Sequence, residues 1–262
     1  MTAGFMQTRP VFGNIPANVD AVSGRVSDMD ADLIVLPELF STGYQFISKE
    51  ETLELSEEIP MGYTTQRLIA LSKEFTVYIV AGIAERDGDN CYNSAVLTGP
   101  EGFIGVYRKT HLFFEEKLWF KPGDTGFRVW KTPIGAIGIM VCFDWFFPES
   151  SRTLALMGAE IIAHPSNLVL PFCPDAMVTR CLENRVFAVT ANRVGTEHRG
   201  AQQLTFIGRS EIVSPQGSIL FRATDDQEET ATAEIDLALA RDKDLNPSNN
   251  FFKDRRPEFY KS

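Results

Sequence analysis

No stretch of this sequence approaches the roughly 20 consecutive apolar residues of a membrane-spanning helix, so a helical membrane protein is excluded as the expected class. The segment Met1 to Pro10 contains Gln7 and Arg9 and lacks the apolar run of a secretory signal. The expectation is a cytoplasmic protein without membrane contact. Basic residues are few: 25 Lys and Arg stand against 35 Asp and Glu, a net charge of −10. An acidic surface repels nucleic acid, and no basic stripe offsets it. The short cluster Lys253, Arg255 and Arg256 is interleaved with Asp254 and Glu258 and reads as a solvated or interface segment. The four cysteines are Cys91, Cys142, Cys173 and Cys181. No pair has the C-x-x-C spacing of a metal site, and the chain is too long to look like a disulfide scaffold. Reduced thiols are expected, each either reactive or merely buried. G-x-S-x-G, zinc-ligand and phosphate-loop motifs are missing too, which removes the serine, zinc and nucleotide chemistry that those motifs carry.

What remains is an ordinary globular composition, 44% apolar and 23% charged. A length of 262 residues is within the range of large α/β domains. No repeat, low-complexity segment or linker interrupts it, so residues 1–262 read as a single domain. In the first half, Gly4–Gln7, Leu33–Leu36, Val77–Ala84, Tyr92–Thr98 and Phe103–Arg108 read as strands. Asn18–Asp28 reads as a helix with Val19, Val22 and Val26 on one face. Thr64 is expected to cap another, carrying Leu68, Leu71 and Phe75. In the second half the strands are Ala136–Val141, Ile161–Ala163, Val186–Ala191 and Thr230–Ile235, and the helices Pro148–Met157 and Ala176–Arg185. Ser210–Val213 and Ser218–Arg222 flank a hairpin turn. Buried apolar strands with intervening helices predict an α/β protein whose helices cover sheet faces.

Three of these strands are each followed by one reactive side chain. Glu38 comes after Leu33–Leu36 and Pro37. A carboxylate at a sheet edge, partly shielded from water, has a raised pKa and suits the work of a base near neutrality. Lys109 follows Phe103–Arg108, and an ammonium there would stabilise a developing oxyanion. Cys142 ends Ala136–Val141, ahead of the turn into the Pro148 helix, a place where exposed nucleophiles are commonly held. Each alone has a plainer reading, as a solvated Glu, a surface Lys or a packed thiol. The set of three, in the order Glu, Lys, Cys, is what points to chemistry.

The sequence around each of them resembles one of the three catalytic motifs of the nitrilase superfamily of carbon-nitrogen hydrolases. These stretches are Leu36-Pro37-Glu38-Leu39-Phe40 with Gly43-Tyr44, then Tyr107-Arg108-Lys109-Thr110-His111-Leu112, then Val141-Cys142-Phe143-Asp144 with Phe147-Pro148-Glu149. Tyr92-Asn93-Ser94-Ala95, Glu183-Asn184-Arg185, Ala191-Asn192-Arg193-Val194-Gly195 and Gly208-Arg209-Ser210 extend the resemblance, which runs from Gly4 to Tyr260.

The resemblance implies a four-layer α-β-β-α sandwich. It implies cysteine-dependent hydrolysis of a non-peptide carbon–nitrogen bond, with Cys142 as nucleophile, a thioester intermediate and Glu38 as base. Lys109 and the Phe143 N–H would hold the oxyanion. No metal or organic cofactor is required. An accessory carboxylate near Lys109 is also implied; Glu116 matches best and Glu115 is the competing choice. The family base being a Glu, His111 and His164 are expected in structural or pocket-wall roles. Pairing through helices near the nucleophile implies a homodimer or higher homo-oligomer, with residues 249–262 as an interface arm.

The substrate expectation comes from the residues after the nucleophile, Phe143, Asp144, Trp145, Phe146 and Phe147, among which there is no Arg or His. Phe143 and Trp145 are expected to line a small, mostly apolar pocket, with Asn167 and Phe172 approaching from the loop after Ile161–His164. A small aliphatic amide is the first expectation. Small nitriles and N-carbamoyl amines such as carbamoylputrescine are the alternatives, and an inactive interaction module is a reading of a different class.

Overall fold

The apolar runs become strands and the 3.6-period segments become helices. The first half of the chain forms β1 (Thr2–Gln7), α1 (Ile15–Val26), β2 (Leu33–Val35), α2 (Lys49–Leu55), α3 (Tyr63–Phe75), β3 (Tyr78–Asp87), β4 (Asn90–Gly99) and β5 (Gly102–Arg108). The second half adds α4 (Glu116–Trp119), β6 (Val129–Thr132), β7 (Gly135–Ile139), a 3-10 turn at Cys142–Phe146, α5 (Pro148–Leu156), β8 (Ile161–Pro165) and α6 (Cys173–Asn184). Then come β9 (Phe187–Ala191), β10 (Val194–Glu197), β11 (Leu204–Ile207), β12 (Glu211–Val213), β13 (Ile219–Arg222), β14 (Glu229–Glu234) and α7 (Ala238–Arg241). A small pair, β15 (Asp244–Asn246) and β16 (Asn249–Asn250), precedes a last 3-10 turn at Pro257–Phe259. The computed structural model describes residues 1–260, so Lys261 and Ser262 of the expected C-terminal arm lie outside the described residues. No helix among the described residues is long and apolar enough to cross a membrane.

Two six-stranded sheets result, in the orders β14-β1-β2-β3-β4-β5 and β13-β12-β9-β8-β7-β6. The central strands of each, β1-β2-β3 and β7-β8-β9, run parallel. Parallel strands of this kind are covered on both faces, which is why their sequences are nearly continuous apolar runs. Phe5, Leu33, Val35 and Val80 of one sheet and Ile137, Ile139, Ile161 and Val189 of the other belong to one apolar core. Across the layers β1 packs on β9, and β2 and β3 pack on β8. The outer face of the first sheet, including Met6, Ile34, Ile79 and Ile83, packs on Val19, Val22 and Val26 of α1 and Leu68 and Leu71 of α3. Helices α5 and α6 cover the second sheet. Each fully buried Val, Leu or Ile in these layers contributes about 1.5–3 kcal/mol. The layer order, helix–sheet–sheet–helix, is the α-β-β-α sandwich expected.

Element starts differ from the sequence reading where side chains cap helices. α1 begins at Ile15 rather than Asn18, because Asn14 is the cap and accepts the Ala17 N–H at 3.4 Å. α3 is capped at Gly62, and Thr64 lies inside it; the Thr64 hydroxyl and N–H donate to Glu57 at 2.5 and 2.7 Å. The Glu57 carboxylate thus satisfies a donor of the first turn that a Thr cap would otherwise have taken. Phe75 is 37% exposed and not part of the buried face of α3. α6 starts at Cys173, with Pro174 in its first turn, rather than at Ala176.

Candidate active site

Glu38 sits where the chain leaves β2 and crosses the face of β3. Gly82 of β3 makes that crossing possible: a Cβ there would lie 2.3 Å from the Glu38 Cα. The Gly82 N–H donates to Pro37 O and the Phe40 N–H to Gly82 O, both at 3.1 Å. Glu38 is fully buried. Lys109, equally buried, leaves β5 with its backbone pinned on both sides. Its N–H donates to Asn93 O at 2.8 Å, and its carbonyl accepts the Gly123 N–H at 2.8 Å. Gly123 is a second position without room for a side chain, since a Cβ would meet Arg108 O at 2.0 Å.

These two backbones bring Glu38 and Lys109 together. The Lys109 ammonium donates to Glu38 Oε1 at 2.6 Å and to both Glu116 oxygens at 2.8 Å. Asn93 Nδ2 donates to the same Glu38 Oε1 at 2.7 Å. Glu116, buried at the start of α4, is therefore the carboxylate on Lys109; Glu115 forms no hydrogen bond to it.

Cys142 occupies the turn after β7 with φ of 42°, a left-handed conformation that a non-glycine residue holds only when its surroundings enforce it. Two groups enforce it. His164 Nε2 donates to the Cys142 carbonyl at 3.0 Å. Asp144, fully buried, accepts the Val141 N–H at 2.9 Å and the Tyr107 hydroxyl at 2.7 Å through Oδ2. Its Oδ1 bonds the His111 N–H at 3.1 Å and His111 Nδ1 at 2.7 Å. Asp144 thus ties the thiol's turn to the segment that carries Lys109. His111 stacks on Phe147 at 3.8 Å.

Asn167 lines the same cleft as Cys142 and holds the Glu38 backbone: its Nδ2 donates to the Glu38 carbonyl at 2.8 Å. That carbonyl can only accept, which fixes the amide so that Oδ1 points away from it. Three buried polar atoms here have no partner among the described residues: Glu38 Oε2, Asn93 Oδ1 and Asn167 Oδ1.

Burial dominates the electrostatics. It raises the Glu38 pKa from 4.5 to about 7 against the opposing pull of Lys109. It pushes the Cys142 thiol well above its ordinary value, with the Glu38 charge adding to the effect, so the sulfur rests protonated. Burial alone would lower Lys109, but the Glu116 and Glu38 carboxylates outweigh it and keep the ammonium charged. Burial drops His164 to about 4, leaving it neutral.

Beside the sulfur opens a narrow cleft lined by Phe113, Cys142, Phe143, Trp145, Asn167, Leu168, Val169 and Leu170. Three of the four residues expected at the substrate pocket, Phe143, Trp145 and Asn167, are on it. Phe172 is not, and its side chain is exposed. The sequence reading did not single out Phe113 or the Leu168–Leu170 wall. It quoted Asn93 and Tyr44 within motifs but gave them no task, and it took Asp144 for a pocket residue. The signal for Asp144 was a charged residue in an otherwise aromatic stretch, which is buried only when fully bonded.

The carbon-nitrogen hydrolase family model matches residues 5–243. A nitrilase from Pyrococcus abyssi is 56% identical over 234 residues, covering 89% of this chain and 88% of that one. An N-carbamoylputrescine amidase from Arabidopsis thaliana is 33% identical over 273 residues, covering 95% and 90%. Among solved structures, a carbon-nitrogen hydrolase from Helicobacter pylori G27 matches with a TM-score of 0.89 at 30% identity, over 99% of this chain and 97% of that one. The family match spans both sheets and the whole buried cluster, so this chain belongs to the carbon-nitrogen hydrolase family, within the nitrilase superfamily, and is a hydrolase of carbon–nitrogen bonds.

Proposed function

We propose that the enzyme hydrolyses small neutral amides to the acid and ammonia, with Cys142 as nucleophile and Glu38 as proton carrier. Lys109 and the Phe143 N–H would hold the oxyanion, and Glu116 would keep Lys109 charged and in place. The observation that carries this reading is the division of labour at Glu38. Its Oε1 is locked by Lys109 and Asn93, while Oε2 is buried, unpartnered and free to move a proton. A base with a pKa of about 7 beside a protonated thiol suits transfer near neutral pH.

Glu38 takes the Cys142 proton as sulfur bonds to the carbonyl carbon and the carbonyl π pair moves to oxygen. Collapse of this intermediate breaks the C–N bond, Glu38 returns the proton to nitrogen, and ammonia leaves a thioester. Water attacks the thioester with Glu38 again taking the proton. The C–S bond then breaks and the sulfur recovers that proton.

Two features favour amides. Glu38 Oε2 and Asn167 Oδ1 are both acceptors without donors. An amide –NH2 offers two N–H donors, whereas a nitrile offers none. A buried acceptor left unpaired costs about 1–3 kcal/mol. The cleft wall carries no charged side chain among the described residues, so nothing there matches the amine of carbamoylputrescine or a substrate carboxylate. Nitrile hydrolysis is the second reading, favoured by the 56% identity to the Pyrococcus protein.

The free, buried cysteines suit a reducing, cytoplasmic compartment. The shared core between the sheets supports one domain over residues 1–262. Arg255 and Tyr260 border a cleft with Arg152 of α5 and Glu183 of α6, and Phe259 is exposed, which supports a homo-oligomer contact there. Light scattering that returned a monomer would remove that contact. The function itself is tested by ammonia release from a panel of neutral amides, nitriles and carbamoyl amines. Wild type should act on amides and Cys142→Ala on nothing. Ammonia from nitriles alone would discard the first reading, and an active Cys142→Ala would discard the nucleophile.

A further inference from the structure

The loop after Glu38 carries a tyrosine to which the steps above assign nothing. The Tyr44 hydroxyl donates to Glu116 Oε1 at 2.7 Å, the oxygen that also accepts from Lys109 Nζ at 2.8 Å. Glu116 Oε2 accepts from Lys109 Nζ at 2.8 Å and from the Phe113 N–H at 3.2 Å. Every bond that aims Glu116 at Lys109 is thus opposed by one bond behind it, and for Oε1 that bond is Tyr44.

Tyr44 is itself held from a remote part of the chain. Glu197, the last residue of β10, accepts the Tyr44 N–H at 3.1 Å and the Gln45 N–H at 2.7 Å through Oε2. Its other oxygen pairs with Arg193, and both side chains are buried. The Arg193 guanidinium lies 4.1 Å over the Phe206 ring of β11, and Phe206 packs edge-on against the Tyr44 ring at 5.8 Å. Gly43, at φ of 83°, leaves the space: a Cβ there would approach Glu197 Oε1 to 3.0 Å. The β10–β11 ribbon therefore grips Tyr44 by its backbone and by its ring, and the hydroxyl end reaches the buried cluster.

We propose that Tyr44 is a positioning residue for the reaction, fixing the Glu116 carboxylate and through it the Lys109 ammonium, with Glu197 on the β10–β11 ribbon setting where Tyr44 stands. This rests on the roles given above to Lys109 and Glu38. Two of the three short contacts of the Lys109 ammonium go to the two oxygens of Glu116, so any swing of that carboxylate redirects the ammonium. The hydroxyl also draws off part of the Glu116 charge. The groups facing that charge are Lys109, Glu38, Cys142 and Tyr44, with the Arg193–Glu197 pair behind. Burial is the main cause that holds both groups up; the Glu116 charge adds to it at Glu38 against the pull of Lys109, and adds to it at Cys142 after the Glu38 charge, so losing the hydroxyl moves their ionisation to higher pH.

Tyr44→Phe removes one oxygen and keeps the ring on Phe206. Its kcat should fall by about 10–100-fold, the scale of an ångström-sized misplacement, with KM and Tm little changed. The pH at which iodoacetamide alkylates Cys142 half-maximally, read without substrate, should move up. A kcat within about twofold of wild type with an unmoved alkylation profile would reduce Tyr44 to packing and overturn the proposal. Glu197→Gln should lower kcat in the wild-type background and add little in the Tyr44→Phe background. Losses that simply multiply would sever Glu197 from Tyr44. Should Glu197→Gln not fold, Glu197→Asp serves the same cycle, since it keeps the charge on Arg193 and draws back from the two N–H groups. If wild type hydrolyses neither amides nor nitriles, the proposed function fails, while the alkylation profile still decides for or against Tyr44.

Discussion

Replacing Glu38 by Gln should give an enzyme that turns over poorly yet gains stability on wild type as the pH rises. Burial, opposed by Lys109, moves the Glu38 pKa from 4.5 to about 7. A raised carboxyl pKa means that the folded state holds this proton more tightly than the unfolded chain does. The stability so contributed is fully present below the unfolded value of about 4.5 and is lost as pH rises through about 7. Each pKa unit is worth about 1.4 kcal/mol, so the full loss amounts to about 3 kcal/mol. Glutamine has the same shape and never ionises. Its carbonyl can take the place of Oε1 toward Lys109 and Asn93, and its NH2 falls where Oε2 has no partner. The stability of Glu38→Gln minus that of wild type should therefore grow by about 3 kcal/mol between about pH 4.5 and 8.5. For a chain of this size that is about 6–12 °C in relative Tm. Thermal unfolding of both proteins across that range is the assay, and subtraction removes the other titrating groups. Ammonia release should drop by about 10²–10⁴-fold over the same range. A stability difference that is flat or falls with pH would refute the claim that burial governs this carboxylate.

The remaining expectations follow from the same cluster. In wild type, kcat/KM should rise with pH through about 7 as Glu38 loses its proton, and a profile flat from pH 5 to 8 would remove Glu38 as the base. Lys109→Met should cost about 10²–10³-fold in kcat through loss of the oxyanion donor, and the acid limb should move up because Lys109 is what lowers Glu38. Retained kcat would take Lys109 out of that role. Asn167→Leu should weaken amide hydrolysis by about tenfold relative to any nitrile activity, since an amide N–H then lacks its acceptor. An unchanged ratio would mean that Asn167 does not read the leaving group.

Much of the site was legible because it obeys a local rule. A run such as Leu33–Val35 or Ile137–Ile139 is buried on both faces, so the first reactive residue beyond it lies just off the sheet. Glu38 and Cys142 stand out in that way, Lys109 follows the half-buried edge strand β5, and the motif match adds Glu116. Short elements were missed. α2, α4 and α7 have seven, four and four residues, too few for a helical period to stand out. The β10–β11 ribbon begins beside the quoted Asn192-Arg193-Val194-Gly195 motif, yet its consequence, the grip of Glu197 on Tyr44, spans 153 positions and leaves no mark in either segment.

Sequence alone determined the alternation of strands and helices, the layered α/β class, and the choice of Glu38, Lys109 and Cys142 as candidates for the chemistry. All are set by patterns within a few residues. Tertiary structure alone decided that Glu38 and Lys109, 71 positions apart, share a bond, and that Glu116 rather than Glu115 completes it. It also decided that Asp144 bonds the turn of Cys142 to the segment that carries Lys109, and that Glu38 keeps one oxygen free. Those outcomes depend on which backbones cross without side chains, at Gly82 and Gly123, and on how completely water is shut out. Charge state and long-range pairing follow from burial, and burial belongs to the packed whole rather than to any stretch of the chain.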